Sequence, residues 1–536
     1  AMDRFGLAPN QAAAVQTALQ ELVQRDLLQD EVSAFESLRS EAEESFEPIE
    51  TLFIRTCDRP DELERLLSEL ALIASDAGLH RIVVLDDSRD DDARSRAAEV
   101  TARAGRENDL PVTLIDRQRR VQVVDAIAKA AGVNPPLLGW TIEGDQDDLP
   151  SYGAGLNLAL LIGAGQRIAL IDDDAGLTAY APETREPGLS LKPEFEPETV
   201  LIDPENLDAA SSDSETGRYV LAGVNPLSAH AEILGRSTSS LIKRFGLQQG
   251  RLLGQLTPVL LHDLRAGPRV RITTNGTLGD IGAGTPAWIY AAKAEILEAC
   301  SHDPESYRRA VLGRRAARYT EQIEVAPGLG LMTTTLTGVD ARELLLPTLP
   351  RGRGEDLVFG ALVEYLYPAS PSALLPWMLR HRTVAQPPWQ SEELARGRGA
   401  DRARWLVERI DHVAGTVASR SAEDRALVLG SWFSALGACD AGEIVEPLRE
   451  FLIQTRARQA NATLEQKQAL DLPDWIGRDY DTRISAELTF SQSAWQGLPE
   501  VARSIRRFAH GYGASIPAWC KAWRWCAGQQ PESILE

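Results

Sequence analysis

Cysteine is scarce in this chain. There are five in 536 residues, at positions 57, 300, 439, 520 and 526, odd in number and without zinc-ligand spacing. That excludes a disulfide framework and fits a reducing compartment. No apolar run approaches the roughly 20 residues that cross a bilayer, and the N-terminus carries no signal-peptide pattern. The expectation is a cytoplasmic protein and not an integral membrane protein. Positive charge is short as well: 56 Lys and Arg against 78 Asp and Glu give a net charge of −22. Such a balance argues against nucleic acid or an anionic membrane surface as partner. A phosphate-gripping GxxxxGK[ST] loop is absent too, so a bound phosphate would need another holder.

What is present suits an ordinary globular protein, with 43% hydrophobic and 25% charged residues. The length predicts two or three domains. Residues 10 to 45 are helical text, with Leu19, Leu22, Val23 and Leu27 at helical intervals. The acidic stretch Glu41 to Glu50 closes this first piece, read as an N-terminal helical appendage over 1–48. Residues 49–388 read as an α/β part in two halves, at about 51–175 and about 218–388.

From Thr51 strand and helix alternate. "TLFIRT" reads as a strand, then "DRPDELERLLSELALIASDAG" as a helix capped by Asp58 and stopped by Gly78. "RIVVLDD" (81–87) is the next strand, 90–104 a helix, 111–116 a strand and about 151–163 a helix. "RIALIDDD" (167–174) is a strand that ends in three adjacent carboxylates. Alternation of this kind predicts a Rossmann-like, mostly parallel sheet flanked by helices. Ligands in such sheets sit beyond the carboxyl ends of the strands. Asp86-Asp87 and Asp172 to Asp174 would share that rim. Residues 175 to 217, acidic and rich in Pro, Glu and Ser, read as a long surface insertion or mobile loop. The Gly-rich 273–286 reads as a loop. Leu406, Ile410, Val413 and Val417 step by four, three and four, and eight of eleven tryptophans lie beyond Pro388. Residues 389–536 are therefore expected to form a C-terminal helical domain whose tryptophans pack in a core, with stacking on sugar rings as the alternative.

Three adjacent acids repel one another unless water or a cation intervenes. Mg²⁺ and Mn²⁺ take oxygen ligands and use few protein carboxylates, with phosphates completing the shell. On an extended chain Asp172 and Asp174 point to the same side, as a divalent site needs; a solvated turn is the alternative. Arg308, Arg309, Arg314, Arg315 and Arg318 read as a solvated helix face, against a grip on a diphosphate or an acidic acceptor. His230 and His262 read as structural.

The segment 51–174 resembles the nucleotide-sugar half of GT-A fold glycosyltransferases, family 2 in style. "TCDRP" is similar to the family's opening motif, "IVVLDDS" (82–88) to its second strand, and "GAGLNLALLIGAGQRIALIDDD" (153–174) to the helix and strand carrying its DxD motif. Leu156 stands before Asn157 where the family often has arginine. "GRGEDLVFG" (352–360) resembles the Glu-Asp acceptor-side motif of inverting members, and "LRHR" (379–382) the position of a late metal-binding histidine. The resemblance spans roughly 51–385. It implies a GT-A catalytic domain that moves a sugar from a UDP- or GDP-sugar donor, with inversion, to a carbohydrate, peptide or protein acceptor. It further implies Mn²⁺ or Mg²⁺ on Asp172, Asp174 and His381, and donor contacts from Thr56, Asp58, Asp86, Asp87, Asn157, Asp172 and Asp173. Asp356 is implied as base, with Glu355 beside it. A nucleotidyltransferase and a non-catalytic transferase-like scaffold are the alternatives.

Overall fold

In the computed structural model, described residues are 9–25, 47–107, 110–145, 149–202, 219–247, 267–291, 303–328, 335–382, 388–419, 421–489 and 495–535, with single residues at 28, 38, 44, 45, 264 and 297. Leu27, His262, residues 41–43 and 46 of the acidic stretch, and the stretch 203–217 of the expected insertion lie outside them.

Thirteen strands form one sheet: β1 (Thr51–Thr56), β2 (Arg81–Asp86), β3 (Val112–Ile115), β4 (Arg167–Asp172), β5 (Ala175–Pro182), β6 (Leu189–Leu191), β7 (Glu198–Leu201), β8 (Tyr219–Leu221), β9 (Ile272–Asp280), β10 (Arg315–Tyr319), β11 (Ile323–Pro327), β12 (Leu336–Asp340) and β13 (Pro371–His381). The main order is β3-β2-β1-β4-β12-β9-β13-β11-β6. β1 to β4 are mutually parallel, and β12 joins β4 antiparallel. β2 is buried at all six positions and β4 at five of six. Parallel strands covered on both faces need that kind of continuous apolar text.

The pleat sends alternate residues to opposite faces. Leu52, Ile54, Ile82 and Val84 meet helices α1 (Pro60–Ala71) and α2 (Asp91–Glu107) in one apolar cluster. Phe53, Val83 and Leu85 enter the other cluster, which includes Val123 and Ile127 of α3 (Arg117–Ala131), Leu138 and Ile142 of α4 (Pro135–Glu143), and Leu158 of α5 (Tyr152–Ile162). That second cluster runs on into the C-terminal helices α7 (Arg402–Ala414), α8 (Ala422–Ala438), α9 (Ala441–Ala469) and α11 (Leu498–Cys526), which follow α6 (Glu355–Leu366); α10 (Asp474–Leu488) lies between α9 and α11. Trp519, Trp523 and Leu406 belong to it. The indole N–H of Trp519 donates to Leu345 O at 2.7 Å. The region after 389 is helical as its periodicity predicts, but it has no core of its own, because it packs on α3, α4, α5 and α6 within the cluster that also takes in Phe53, Val83 and Leu85 of the sheet.

Three expectations need correction. The stretch 175–217 is no loop where it is described: β5 pairs with β13 and β8, β6 with β11, and β7 with β10. The Gly-rich 273–286 begins as β9, a nine-residue strand buried throughout. Its glycine is there for close approach: a Cβ on Gly276 would stand 2.2 Å from Arg318 O. Asp58 does not cap α1, whose N-cap is Arg59. The N-terminal helix Pro9–Gln24 forms as read, but its Val15, Leu19, Leu22 and Val23 stay 38–41% exposed.

Candidate functional site

β1, β2 and β3 step to one side of the sheet, while β4 lies on the other side of β1. The chain direction of the crossovers reverses between β1 and β4, and a crevice opens beyond such a switch point. The carboxyl ends of these two strands carry Thr56 to Arg59 and Asp172 to Asp174.

The three acids do not stay extended, because β4 ends at Asp172 and the next two residues turn into β5. Asp172 therefore parts from its neighbours. Its Oδ1 accepts from Arg55 Nε at 2.8 Å, with Arg55 Nη2 also 2.8 Å away. Asp173 is fully buried, held by Thr56 Oγ1 at 2.7 Å and Arg59 Nη2 at 2.7 Å. Asp174 takes Arg59 Nη1 at 2.5 Å, and its Oδ1 lies 3.2 Å from His381 Nε2. His381 sits at the end of β13, and its Nδ1 is 2.5 Å from Asp280 O. Repulsion among the acids is thus relieved by two arginines and a histidine, not by solvent alone.

Electrostatics follow from that packing. Burial alone would lower the imidazole of His381, but the hydrogen bond and charge of Asp174 outweigh it and raise His381 to about 9. Burial would raise Asp174, yet His381 and Arg59 hold its carboxyl well below the usual range. For Asp173 burial prevails over Arg59 and Thr56, and the carboxyl is pushed up to about 7.

The other expected donor contacts are placed as follows. Thr56 is spent on Asp173. Asp58, with φ of 54°, accepts from the N–H of Arg89 at 2.8 Å and of Asp90 at 3.0 Å, and so braces the loop after β2. Asp86 ends β2 with one oxygen on the Ser88 N–H at 2.9 Å and the other buried without a partner among the described residues. Burial raises its pKa. Asp87 meets Arg120 Nη1 at 2.9 Å and the Ser151 hydroxyl. Asn157 faces the packed interior, donating to Thr141 O and Thr348 O and accepting from Thr348 N–H at 2.8 Å. It ties α5 to the loop that leads to residue 352. His230 is structural, fully buried between Thr273 and Asn275.

A cleft of about 1710 Å³ opens over this rim and takes in Asp172, Asp174, His381, Glu355 and Asp356 together. Gly352 and Gly354 adopt φ of 84° and 90°, left-handed backbone that favours glycine. They swing the chain into α6, so that Glu355 and Asp356 occupy its first turn. Both acids line the cleft. Arg55 Nη1 stands 3.9 Å from Glu355, so one guanidinium spans Asp172 and Glu355. Burial lifts Glu355 to about 7 and raises Asp356 as well. The loop 396–404 and the helices after it, α9 and α11, close the remaining side.

Sequence reasoning missed Arg55 and Arg59, which organise all three aspartates. A signal existed: an arginine inside the buried run "TLFIRT" requires a counter-charge. The arginines from 308 to 318 do not form one helix face. Arg308 and Arg309 lie on the helix Pro304–Leu312, whereas Arg315 and Arg318 lie on β10. Among the described residues, no group of three or more His, Cys, Asp or Glu is drawn together as a metal site, and no helix is long and apolar enough to cross a membrane.

Fold and cleft together define an α/β protein with an acid-bearing crevice at a sheet switch point. No family model and no curated protein matches the chain. Among solved structures it is similar to one titled "Crystal Structure of a Mycobacterial Protein", at 13% identity over 63% of this chain and 68% of that one, with a TM-score of 0.27.

Proposed function

We propose that this protein is a metal-dependent glycosyltransferase of GT-A type that moves a sugar from a nucleotide-diphosphate donor to an acceptor hydroxyl with inversion. The observation that carries the reading is the meeting of Asp172, Asp174, His381, Glu355 and Asp356 in one cleft beyond the β1–β4 switch point. They come from segments some 180 to 200 residues apart in the sequence. Carboxylate and imidazole are donors that Mn²⁺ accepts. The fit has local support, since Asp174 Oδ1 is buried, faces His381 and makes no hydrogen bond of good geometry. Asp174 and His381 stand together and would hold Mn²⁺ or Mg²⁺, with His381 giving up its proton to do so, and Asp172 would join them only on release from Arg55. When bound, the cation supplies Lewis-acid neutralisation of a leaving diphosphate.

The protein's own groups do the rest. Asp356 takes the proton of the acceptor hydroxyl, since an unassisted hydroxyl is a poor nucleophile at neutral pH. Its raised pKa makes it a better base than an ordinary aspartate. Arg55 keeps Glu355 and Asp172 in fixed relation across the cleft. The walls from 352–357 and 396–404 shield the site from water. Incubation with Mn²⁺ and a panel of nucleotide sugars tests the proposal. Slow hydrolysis of one donor is expected, and a panel left intact with no nucleotide binding would overturn it.

A further inference from the structure

Beside the acids, β9 and β10 bring hydrogen-bond donors into the same cleft. β9 and β10 pair antiparallel with Thr277 opposite Arg318, so both side chains stand on one face. Both line the cleft. Thr277 is 1% exposed, and its hydroxyl has no hydrogen-bond partner among the described residues. Trp288, also in the lining, leaves its indole N–H buried and unpartnered. Arg314 is turned to the cleft by a φ of 62°, and its Nε makes no hydrogen bond, although Asp280 is 3.5 Å away. Arg318 itself has neither an ion pair nor a side-chain hydrogen bond among the described residues. Burial, with no carboxylate to offset it, pulls its guanidinium down to about 10. Glu196, another residue of the lining, is engaged by Lys192 at 3.0 Å.

A guanidinium and an indole N–H only donate, and the lone hydroxyl adapts to whichever role its neighbour needs. Buried donors left unmade are unfavourable, and a buried cation without a counter-charge more so. A ligand that only accepts and carries negative charge satisfies all of them at once, and charge-assisted bonds from arginine are the strongest of the kind. We propose that Arg318, Thr277 and Trp288 form an oxyanion subsite that receives a phosphate or carboxylate carried by the acceptor. This rests on the transferase reading of the cleft and names the acceptor's chemistry: a hydroxyl compound bearing an anionic group. The donor's diphosphate belongs at the ends of β1 and β4, with Asp172 and Asp174.

The experiment is calorimetry on the full chain with three probes: inorganic phosphate, acetate, and UDP or GDP with Mn²⁺. Wild type is compared with Arg318→Ala, Arg318→Lys and Thr277→Val. Phosphate or acetate binds wild type, at least tenfold more weakly in Arg318→Ala, with partial recovery in Arg318→Lys and an intermediate loss in Thr277→Val. The Mn²⁺–nucleotide affinity stays unchanged in all three variants. Arg318→Ala keeps or raises the thermal midpoint, because a half-buried charge without an ion pair among the described residues is removed. Equal anion affinity in wild type and Arg318→Ala, or no anion binding at millimolar concentration, overturns the subsite. Parallel loss of nucleotide affinity in Arg318→Ala overturns it too, by assigning Arg318 to the donor. A wild type that binds phosphate but no Mn²⁺–nucleotide defeats the transferase reading instead: the anion site then stands, and its assignment to an acceptor falls.

Discussion

On the β1–β4 wall of the cleft every acid has a cation. Arg55 holds Asp172, Arg59 holds Asp173 and Asp174, and His381 adds a second partner to Asp174. On the β9–β10 side Asp280 is met by Arg314 and Arg315, whereas Thr277 and Trp288 leave buried polar atoms unpartnered and Arg318 has no ion pair among the described residues. On the proposed reading, a wall whose charges already neutralise one another would admit a ligand by exchange: a cation held near Asp172 and Asp174 would take the place of a guanidinium or a proton. A wall of unanswered donors admits a ligand by completion. Exchange makes binding dependent on metal and pH, whereas completion makes it dependent on the ligand's charge.

The largest effect expected on this contrast lies between the walls, at Asp356. Asp356→Asn keeps the size of the side chain and removes its charge. Transfer falls roughly 10²–10⁴-fold, the span of a lost general base, while Mn²⁺–nucleotide affinity is nearly unchanged. Wild-type transfer by this variant would remove the base assignment, and a product of retained anomeric configuration would remove inversion. Asp172→Asn with Asp174→Asn separates the walls from the other side. It abolishes Mn²⁺-dependent nucleotide binding and leaves phosphate binding at Arg318 intact. Relief of repulsion is not the expected by-product, because Arg55 and Arg59 would lose counter-charges; the thermal midpoint therefore drops. Calorimetry that finds both probes bound as in wild type would dissolve the distinction between the walls.

A smaller effect, on stability, comes from behind the donor-rich side. Glu487 is fully buried, paired with Arg483 and with Arg456 Nε at 3.2 Å, and it accepts from the Arg398 N–H at 3.1 Å. Arg483 in turn donates to the carbonyls of Leu394 and Arg396. This buried cluster fixes the loop 396–404 that closes the cleft. Removing one partner of a buried ion pair costs about 3–5 kcal/mol, so Glu487→Gln should lower unfolding free energy by that order in denaturant titration. Near-wild-type stability would mean that the loop is held from elsewhere.

How much of this was legible depended on the kind of signal. β1, β2 and β4 were readable because strands buried on both faces must be apolar throughout, and the three aspartates stood out against that text. Glu355 and Asp356 were singled out by the resemblance of "GRGEDLVFG" to an acceptor-side motif, and the left-handed Gly352 and Gly354 are what deliver them to the cleft. β9 was not readable, because Thr and Gly inside a sheet look the same as Thr and Gly in a turn until the close approach at Gly276 is seen. The packing of α11 on α3 and α4 was hidden, since helical period reports that a face is buried but not against what. Arg318 was hidden for a related reason. An arginine in a charged run reads as solvated, and only the pairing of β10 with β9 and β7 places it inside the cleft.

The smallest expected effect sharpens the contrast at its weakest pairing. Glu355 belongs to the paired wall, but Arg55 reaches it only at 3.9 Å. Burial outweighs that attraction and moves the carboxyl from its ordinary 4.5 to about 7. Between those values the folded chain keeps a proton that the unfolded chain has released. The folded state therefore binds more protons across this window, and the stability contributed by the group falls as pH rises from 4.5 to 7. Gln does not titrate. Glu355→Gln should consequently gain thermal midpoint relative to wild type as pH climbs through the window, and the gain should level off above about 7. Only the difference between the two proteins is informative, because the other titrating groups are common to both. A difference that does not change between pH 4.5 and 8 would show that Glu355 is paired as firmly as Asp172. The wall would then neutralise all of its acids alike.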